Sequence, residues 1–564
     1  MKKKILLLTL ENAVKYEGKA SVGSVIGRII SEMPDLKEDK VKMKEFSGEI
    51  ANAVRKVNAM SKEKQLSEFE GLGGKIVKEK KEKIIKLPKL KKLHKPVVLR
   101  FEPSPSGPMH IGHAYVLGLN YQYAKDYNGK LILRIADTNA SNIYEPAYEL
   151  LPKDGKWLTK GKIDEIVIQS ERIELYYDYV LRFIESGHSY VCTCPAEEFR
   201  EMSKKKEECP CRNLNIDQNT KRWHDMFTKY NQGEAVLRFK TDMKHKNPAM
   251  RDFPIFRIND DEHPRTCKKF RVWPLMNFSV MVDDHDLGVT HIIRAKDHAD
   301  NAKRQEMMYN AMGYDVPETL FVGRINFDDL EVSCSKTKEK IEKGEFTGWD
   351  DIRLPFLLAL RRRGFQAESF IRYAMDVGIS LNDKTVSKKD FFKAINHFNK
   401  ESLESKSDRY FFIKDPIAVR IKKAPEIEIE LDLHPDHRKG GRIFHCDEDY
   451  FLAKEDVDSF QNEEVYRLMD CLNFTVKSKE KPLLEYHSIK FAEVKGKAKL
   501  IHWLPKKEAI KVEIVIDDGT IVKGMGERLL NDLKEGDIVQ FVRFGFCRLD
   551  NAEPDKLTFW FAHK

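Results

Sequence analysis

A strand, a loop, a helix and a second strand follow one another between residues 97 and 135. Residues 97–101 form a short apolar run, and residues 103–109 are rich in Pro, Ser and Gly. Residues 110–127 then repeat apolar side chains at helical spacing, before a second apolar run at 130–135. Two strands joined through a helix in this way pack in parallel. The chain is therefore constrained to an α/β architecture with a Rossmann-type parallel sheet at its centre.

The junction between the first strand and the helix reads His110-Ile-Gly-His113. Backbone N–H groups at a helix N-terminus attract phosphate, and a glycine there lets a nucleotide approach the backbone. The two imidazoles add hydrogen-bond donors beside those groups. We interpret His110, Gly112 and His113 as a polyphosphate site, whereas the same letters inside an ordinary helix would be two partly buried histidines.

A second candidate element, Ser333-Cys-Ser-Lys-Thr-Lys338, lies about 220 residues further on. The pattern predicts a mobile loop rich in hydroxyls and lysines. A lysine of this kind can neutralise the charge that develops on transferring phosphates without acid–base chemistry. Alone, such a loop is typical of solvated surface. Together with the histidine motif it indicates nucleotide chemistry.

Both motifs resemble the ATP-binding signatures of class I aminoacyl-tRNA synthetases, the first in its glutamyl/glutaminyl version. The stretch from Arg100 to His113 and Ser335-Lys336-Thr337 carry this likeness. Other segments are similar to the archaeal branch of glutamyl-tRNA synthetase: Asp283-Asp-His285, Gly288-Val-Thr-His-Ile-Ile-Arg294, Gly348-Trp-Asp-Asp351, Arg361-Arg-Arg-Gly364, Ile501-His-Trp-Leu-Pro505 and Gly536-Asp-Ile-Val-Gln-Phe541. The likeness runs from about residue 96 to residue 564 and is looser before that.

The resemblance implies ATP-dependent activation of L-glutamate to glutamyl-adenylate and its transfer to tRNA-Glu. Mg²⁺ would accompany the ATP. His110 and His113 would contact the ATP phosphates, and Lys336 would hold the leaving pyrophosphate. The implied ATP-binding set comprises Gly107, His110, Gly112, His113, Ser335, Lys336 and Thr337. Because no covalent enzyme intermediate is expected, these groups would act by positioning and charge stabilisation.

Arg294 is the residue that we expect to choose between glutamate and glutamine. A guanidinium forms a bidentate pair with a carboxylate and matches an amide poorly. The sequence leaves open an internal ion pair of Arg294 with Asp283 or Asp297. The implied glutamate-binding set is Arg100, Ser104, Asp137, Met276 and Arg294.

Two departures from the family pattern affect this amino-acid pocket. The family usually has an acidic residue after Arg134-Ile135 to hold the substrate ammonium, and this chain has Ala136 followed by Asp137. We predict that Asp137 substitutes for it. A tyrosine is also common near residues 273–277, where the sequence leaves open which of Trp273, Met276 and Asn277 lines the pocket.

Four cysteines are clustered as Cys192-Thr-Cys194 and Cys209-Pro-Cys211. Four thiolates from two short pairs can close a tetrahedral Zn²⁺ site, although the single-residue spacers are tighter than is common. The alternative is four free thiols. A zinc ion with four protein ligands would be structural, since no position stays open for a substrate.

The remaining sequence divides into flanking domains. We predict a helical N-terminal appendage at 1–74, a basic linker at 75–95, the catalytic domain at 96–330, a helical connecting domain with the Ser-Lys-Thr loop at 331–415, and β-barrel domains at 416–564. The catalytic domain contains an insertion at about 190–260, which in the resembling family holds the acceptor end of tRNA. The β-rich tail would bind the anticodon, and its basic and aromatic residues include His434, His437, Arg438, Arg442, Arg543, Phe544, Phe546 and Arg548.

Composition permits this interpretation without requiring it. The chain has 564 residues, enough for about three to five folding units, and its 41% hydrophobic content excludes wholesale disorder. A net charge of +9 is too diluted at this length to demand a nucleic acid. Without a signal peptide, a membrane span or a disulfide framework in the sequence, we expect a cytoplasmic protein. We also expect it to be a monomer. Three choices stay open: use of tRNA-Gln as well, a glutaminyl-tRNA synthetase, or a catalytically silent tRNA-binding protein.

Overall fold

The computed structural model describes residues 2–15, 18–32, 40–72, 87–480, 482–496 and 498–564. The chain divides into two compact units, 1–84 and 85–564. In the described residues, no helix is both long and apolar enough to cross a membrane.

The first unit is helical. Its helices are α1 (Lys2–Lys15), α2 (Val22–Glu32), α3 (Lys40–Asn58) and α4 (Lys62–Gly71). Leu10, Ala13 and Val57 are completely buried in its core. The Asn58 side chain links the end of α3 to the loop between α1 and α2, because it accepts from the backbone N–H of Ala20 at 2.7 Å and donates to its carbonyl at 3.0 Å. The predicted helical appendage is confirmed.

The second unit begins with the strands and helices of a five-stranded central sheet and of an insertion between two of its strands. Their elements are β1 (Val98–Phe101), α5 (Ile111–Asp126), β2 (Lys130–Ile135), α6 (Ala147–Leu158), β3 (Glu165–Ile168), α7 (Ile173–Glu185), β4 (Ser189–Cys192), α8 (Ala196–Lys205), α9 (Ile216–Thr228), β5 (Val236–Phe239), β6 (Pro254–Ile258), β7 (Val272–Pro274), α10 (Met276–Asp286), β8 (His291–Ala295), α11 (Ala299–Ala311) and β9 (Glu318–Val322).

The central sheet is parallel throughout, with strand order β3-β2-β1-β8-β9. Strand β1 pairs with β2 from Val98 opposite Lys130 to Phe101 opposite Leu133. Leu99 and Leu131 are fully buried, as expected for strands that helices cover on both faces. The predicted Rossmann-type fold is confirmed. In such a sheet, ligands bind outside the carboxyl ends of the strands.

The insertion between α7 and α10 forms a separate antiparallel sheet with order β4-β5-β6-β7. Trp223 and Phe256 meet edge to face in its core, with ring centroids 5.4 Å apart. The cysteine pairs lie at one end of this sheet, because Cys192 is the last residue of β4.

A helical segment follows the central sheet. It contains β10 (Ile325–Phe327), α12 (Cys334–Glu342), α13 (Leu357–Arg363), α14 (Ala367–Val377), β11 (Lys384–Val386) and α15 (Lys388–Leu403). Helix α14 packs closely on α5, since a Cβ on Gly118 would lie 3.0 Å from that of Ala374. This contact holds the helical segment against the helix that carries the histidine motif.

The C-terminal region consists of strands and one short helix. They are β12 (Arg409–Tyr410), β13 (Phe412–Lys414), β14 (Pro416–Lys422), β15 (Ile427–His434), β16 (Arg438–Cys446), β17 (Asp449–Ala453), α16 (Lys454–Asp458), β18 (Val465–Leu468), β19 (Asn473–Ser478), β20 (Leu483–Ser488), β21 (Lys499–Ile501), β22 (Trp503–Pro505), β23 (Ile510–Val515), β24 (Ile521–Gly526), β25 (Ile538–Phe541), β26 (Gly545–Glu553) and β27 (Lys556–His563).

Fourteen of these strands form two seven-stranded sheets, and β15 and β16 pair only with each other. The enclosing barrel has order β12-β25-β26-β27-β23-β24-β13, so its edge strands are separated by one residue and the sheet nearly closes on itself. The inserted sheet, with order β21-β18-β19-β20-β14-β17-β22, lies between β13 and β23 in the chain. The predicted β-barrel character of the tail is confirmed.

The basic linker predicted at 75–95 falls partly outside the described residues, which resume at 87. From there the segment packs on the second unit, where Leu90 is buried. Lys95 Nζ lies 2.6 Å from the Asp315 carboxylate. The described end of the linker therefore belongs to the surface of the catalytic domain.

Candidate active site

A cavity of about 440 Å³ opens at the carboxyl ends of β1, β2 and β8. It is lined by Arg100, Phe101, Glu102, Ser104, Val116, Ala136, Thr138, Asn139, Gln169, Met276, Val280, Ile293, Arg294, Ala295, His298 and Gln305. Four of the five predicted glutamate-binding residues are therefore brought together: Arg100, Ser104, Met276 and Arg294. This position is where a parallel sheet of this type binds its ligand.

The floor of the cavity is a cluster of buried ion pairs. Arg100 Nε lies 3.1 Å from Asp284 Oδ1, and Arg134 Nη1 lies 2.8 Å from the same oxygen. Asp283 accepts from Arg172 Nε at 2.8 Å and from Gln169 Nε2 at 2.9 Å. Because each charge has a partner, the floor is fixed in place.

Arg294 differs from the other buried arginines. Its Nη1 donates to Gln305 Oε1 at 2.9 Å, and its Nε is buried without a hydrogen-bond partner. Across the described ranges, no carboxylate lies within ion-pair distance of it: Asp283 is occupied in the floor, and Asp297 pairs with Arg324. Burial, and then the nearby Arg100, lower the pKa of Arg294 to about 10. The internal ion pair left open by the sequence is therefore not formed.

Glu102 is an acidic residue of this cavity that sequence reasoning missed. Its Oε2 pairs with Arg134 Nη2 and lies 3.1 Å from Arg100 Nη1. Burial opposes its ionisation, but Arg100, Arg134 and Arg294 lower its pKa to about 2. The signal was available, because Glu102 is two residues after Arg100 and so lies on the same side of an extended chain.

Asp137 does not join the residues that line the cavity. The Asp137 carboxylate is fully buried, where it accepts from the Tyr148 hydroxyl at 2.7 Å and from the Ser170 backbone N–H at 2.8 Å. Successive side chains of extended chain point to opposite sides, so Ala136 faces the cavity and Asp137 faces away.

Of the three residues left open near the start of α10, Met276 lines the cavity. Trp273 is buried and stacks on His263 with ring centroids 5.0 Å apart. Asn277 lies behind the cavity, where its Oδ1 accepts from Gln305 Nε2 at 3.4 Å.

The two histidines of the predicted phosphate site cap helix α5. His110 Nδ1 accepts from the Gly112 backbone N–H at 3.0 Å, and His113 Nδ1 accepts from the His110 backbone N–H at 3.3 Å. Their rings stack with centroids 3.8 Å apart. A Cβ on Gly112 would lie 2.9 Å from the His110 ring, so this arrangement requires glycine.

These contacts determine the protonation of both rings. Burial lowers the pKa of His113 to about 4, and burial together with His113 lowers that of His110. Both rings are therefore neutral near pH 7. Because each Nδ1 is an acceptor, each proton is on Nε2, which is left to donate to a ligand.

Lys336 lies in the first turn of α12 rather than in a loop. The hydroxyl of Ser333 accepts from the Lys336 backbone N–H and caps the helix, which explains the difference from the prediction. The Lys336 side chain is 69% exposed and lies 3.3 Å from Glu331. Ser335 is also exposed, whereas Thr337 is buried.

Gly107 connects the two predicted motifs. A Cβ on this residue would lie 3.0 Å from Cys334 Sγ and 3.2 Å from the Trp349 ring. The loop before His110 thus contacts the residue that begins α12. The structure therefore places the start of the Lys336 helix against the loop that leads to the histidines.

Asp154 is a second acidic residue that the sequence did not reveal. It is buried in α6, and its Oδ2 accepts from the Met109 backbone N–H at 3.1 Å, one residue before His110. Burial raises its pKa to about 6. Asp154 therefore positions the histidine loop from a helix 45 residues further along the chain.

The four clustered cysteines have the geometry of a metal site. Their sulfur atoms all lie within 4.8 Å of one another, with Cys192 3.9 Å from Cys209 and Cys194 3.8 Å from Cys211. Tetrahedral zinc with Zn–S bonds of about 2.3 Å requires sulfur atoms about 3.8 Å apart. The Arg222 guanidinium lies 3.2 Å from Cys211 Sγ and favours the thiolate form. The residues present therefore fit zinc.

Three of the C-terminal residues predicted from sequence as RNA contacts are buried, whereas three others, His437, Arg438 and Arg543, are exposed. Phe546 is completely buried, and the ring of buried His434 contacts the Glu404 carbonyl at 2.8 Å. Arg442 is buried in an ion pair with Glu527, which follows the barrel strand β24. This pair lines a cavity of about 450 Å³. Phe546, His434 and Arg442 are therefore structural.

Comparison with known proteins agrees with this architecture. The family model described as tRNA synthetases class I (E and Q), catalytic domain, matches residues 96–405. Two models for the anti-codon binding domain of the same group match residues 407–490 and 500–550. The chain therefore belongs to the class I tRNA synthetases of the E and Q group.

Curated relatives are similar over nearly the whole chain. A glutamate–tRNA ligase of Methanobrevibacter smithii is 41% identical over 98% of both chains. One of Methanocaldococcus jannaschii is 41% identical over 100% of both. Among solved structures, a glutamate tRNA ligase from Elizabethkingia meningosepticum aligns over 56% of this chain and 70% of its own, with 19% identity and a TM-score of 0.40.

Proposed function

We propose that this chain is a glutamate–tRNA ligase that joins L-glutamate to tRNA-Glu through a glutamyl-adenylate. The observation that carries the choice of amino acid is Arg294, a buried guanidinium without an ionic partner in the described part of the chain. An uncompensated buried charge costs several kcal/mol. The γ-carboxylate of glutamate would supply the missing anion, whereas the neutral amide of glutamine would not.

The charges around the cavity support the same choice. The other arginines around the cavity already have carboxylate partners, whereas the guanidinium of Arg294 has none within the described residues. L-glutamate carries one net negative charge and would neutralise it, while glutamine carries none.

In the first step, a substrate α-carboxylate oxygen would attack the α-phosphorus of ATP, and the bond to the bridging oxygen would break to release pyrophosphate. The neutral His110 and His113 would donate from Nε2 to phosphate oxygens. Exposed Lys336 would move onto the leaving pyrophosphate. Mg²⁺ would enter with ATP. None of these groups forms a covalent bond to the substrate, so they would accelerate the reaction by positioning the substrates and stabilising charge.

In the second step, a ribose hydroxyl of the terminal adenosine of tRNA would attack the acyl carbon, and AMP would leave. We propose that the antiparallel sheet β4–β7 holds the acceptor end of the tRNA and that the C-terminal strands hold the anticodon region. The two anti-codon binding matches support the second assignment.

Aminoacylation of tRNA-Glu and tRNA-Gln transcripts, each with labelled glutamate and with labelled glutamine, tests the function. We expect charging with glutamate on tRNA-Glu. Charging with glutamine alone would make the chain a glutaminyl-tRNA synthetase. Binding of tRNA without charging and without pyrophosphate exchange would make it a silent tRNA-binding protein. The tRNA-Gln lane determines whether the enzyme accepts both tRNAs.

We also propose one structural Zn²⁺ held by Cys192, Cys194, Cys209 and Cys211. Bound zinc would join the end of β4 to the turn that follows α8. Metal analysis should give one zinc per chain, lost in Cys209→Ser, with a lower melting temperature of the variant. The matched control is Cys267→Ser, an exposed single cysteine that should keep the metal. Wild-type protein purified without chelator that contains no zinc would exclude the site.

For the assembly, we propose a monomer. Light scattering during gel filtration should give a mass near 65.7 kDa. A mass near twice that value would contradict the proposal.

A further inference from the structure

Glu102 has no role in the two steps described so far, yet it lies in the amino-acid cavity. Within the described ranges it is the only acidic residue among those that line the cavity. The other lining oxygens on side chains are neutral, those of Ser104, Thr138, Asn139, Gln169 and Gln305. Any amino acid that enters this cavity carries an ammonium group as well as carboxylates. The cavity therefore has one candidate for a full negative charge opposite that ammonium.

The two oxygens of Glu102 have different surroundings. Oε2 takes both arginine contacts, from Arg134 and from Arg100. Oε1 receives no hydrogen bond from any residue that the structure describes. The side chain is 13% exposed, and that exposure is toward the cavity. One oxygen thus anchors the carboxylate, and the other is free to accept.

Other nearby carboxylates cannot serve. Asp137 is fully buried and faces away from the cavity, against Tyr148 and Ser170. Asp283 and Asp284 are also fully buried, and their oxygens are used by the arginines of the floor. A buried ammonium without a partner would cost several kcal/mol, so one of the lining groups has to meet it.

We propose that Glu102 binds the α-ammonium of the amino-acid substrate by accepting a charge-assisted hydrogen bond at Oε1. The inference rests on the proposed function, because it assumes an amino-acid substrate. Glu102 follows β1 and Arg294 lies on β8, and these strands are neighbours in the sheet. The substrate would be held at its ammonium by one strand and at its side chain by the next. Its α-carboxylate is then left free to react with ATP.

The ionisation of Glu102 agrees with this role. Burial works against the charged form, but Arg100, Arg134 and Arg294 lower its pKa to about 2. The carboxylate is therefore negative at every pH at which the enzyme would work. Glu102 is therefore already ionised before the substrate binds.

The test compares L-glutamate with glutarate, which lacks the ammonium and keeps both carboxylates. Dissociation constants are measured by calorimetry on the full-length protein without ATP. For wild type we expect glutamate to bind at least tenfold more tightly than glutarate, since hydrogen bonds to charged groups contribute about 1.5–3 kcal/mol. In Glu102→Gln the preference should fall by at least tenfold, chiefly through weaker binding of glutamate.

Asp284→Asn is the matched control. Asp284 pairs with the same two arginines, Arg100 and Arg134, but does not line the cavity. This variant should weaken both ligands to a similar extent and keep the preference for glutamate. Glu102→Asp is the second variant, in case the Gln variant does not fold. It keeps the anion but withdraws it by one methylene, and it should retain only part of the preference.

The possible results separate failure of the Glu102 inference from failure of the proposed glutamate–tRNA ligase function. Equal preference in wild type and Glu102→Gln would show that Glu102 only braces the arginines, and would overturn the inference while leaving the glutamate assignment intact. Equal binding of glutamate and glutarate to wild type would also overturn it. Wild type that binds glutamine and neither of the other two ligands would instead contradict the proposed function.

Discussion

The amino-acid cavity and the phosphate end of the site are built from different materials. The cavity is walled by buried, permanently charged groups, with paired arginines in the floor and the unpaired Arg294 at the side. The phosphate end has two neutral imidazoles, the first turns of two helices and the exposed Lys336. The amino-acid cavity is charged before the substrate binds, whereas the phosphate end has a mobile charge, Lys336, that can move to the bound phosphates.

This difference follows from what each end must do. Glutamate differs from glutamine by one negative charge, so selecting glutamate requires a fixed positive charge at a site from which water is excluded. At the phosphate end, by contrast, the phosphates of ATP change charge and geometry during the reaction. Donors that are neutral until contact, and a lysine free to move, suit a site where charge develops.

The largest expected effect is at Arg294. Arg294→Ala should lower kcat/KM for glutamate in aminoacylation by about 10²- to 10³-fold, because a buried charge pair with the substrate is lost. The KM for ATP should change little. Without substrate the variant should melt no lower than wild type, since the removed charge has no ionic partner there.

Arg324→Ala is the control for this prediction, because Arg324 is exposed and already paired with Asp297. It should leave the glutamate kinetics unchanged. If Arg294→Ala raised the KM for ATP as much as that for glutamate, the separation of the two ends would be lost.

Next in size is the effect at Lys336. Lys336→Ala should reduce kcat about 100-fold, the usual range for a group that stabilises transition-state charge. The KM for glutamate should stay within twofold, and the melting temperature should not change because the side chain is exposed. Steady-state kinetics with each substrate varied in turn would measure this.

Lys343→Ala serves as its counterpart at the other end of the same helix, where Lys343 pairs with Glu339. That variant should behave as wild type. An equal loss of activity in both lysine variants would mean that helix α12 acts through its fold rather than through one mobile charge.

A third prediction concerns the pH dependence of stability at the phosphate end. His113 has a pKa of about 4 in the folded chain, below the ordinary value of 6.5. Its contribution is therefore complete above about pH 6.5 and is lost as the pH falls toward 4, by up to about 1.4 kcal/mol per pH unit. Urea unfolding at pH 7 and pH 5 should show a smaller loss of stability in His113→Asn than in wild type.

His224→Asn, at an exposed position in α9, should keep the wild-type dependence. A His113→Asn variant with the full wild-type loss would mean that folding does not lower the pKa of this ring. The neutral-donor description of the phosphate end would then be wrong.

The smallest effect is expected at Asp154, with the opposite sign. Its folded pKa of about 6 lies above the ordinary 3.8, so its stabilising contribution is complete below about pH 4 and is lost as the pH rises through 6. Asp154→Asn should gain on the order of 1 kcal/mol of stability at pH 8 and nothing at pH 4. Urea midpoints at the two pH values measure this difference, and a loss at both values would contradict it.

The sequence predicted the fold and the phosphate end better than it predicted the amino-acid cavity. A strand, a glycine-containing turn and a helix are local features, so the parallel sheet and the positions of His110 and His113 followed from chain order. Arg294 was predicted from the chemistry of its ligand. What local patterns could not supply was the set of partners that each buried charge finds across the sheet.

Asp137 and Glu102 show this limit. Alternation along extended chain already indicated that Ala136 and Asp137 face opposite sides, and that Glu102 shares a side with Arg100. The prediction for Asp137 relied on the family pattern instead. Asp154 and the buried Thr337 carried no local signal, because their surroundings come from contacts between separate elements.

The order of strands in the C-terminal region has a consequence for how the protein is made. Strands β12 and β13 emerge from the ribosome first, but their partners β25 and β24 lie more than 100 residues later. The whole inserted sheet is synthesised in between and can complete its own pairing. Two short strands must therefore stay unpaired through that interval, and contacts over such long separations form slowly. We expect newly made chains to be most vulnerable to misassembly and proteolysis between residues 409 and 521.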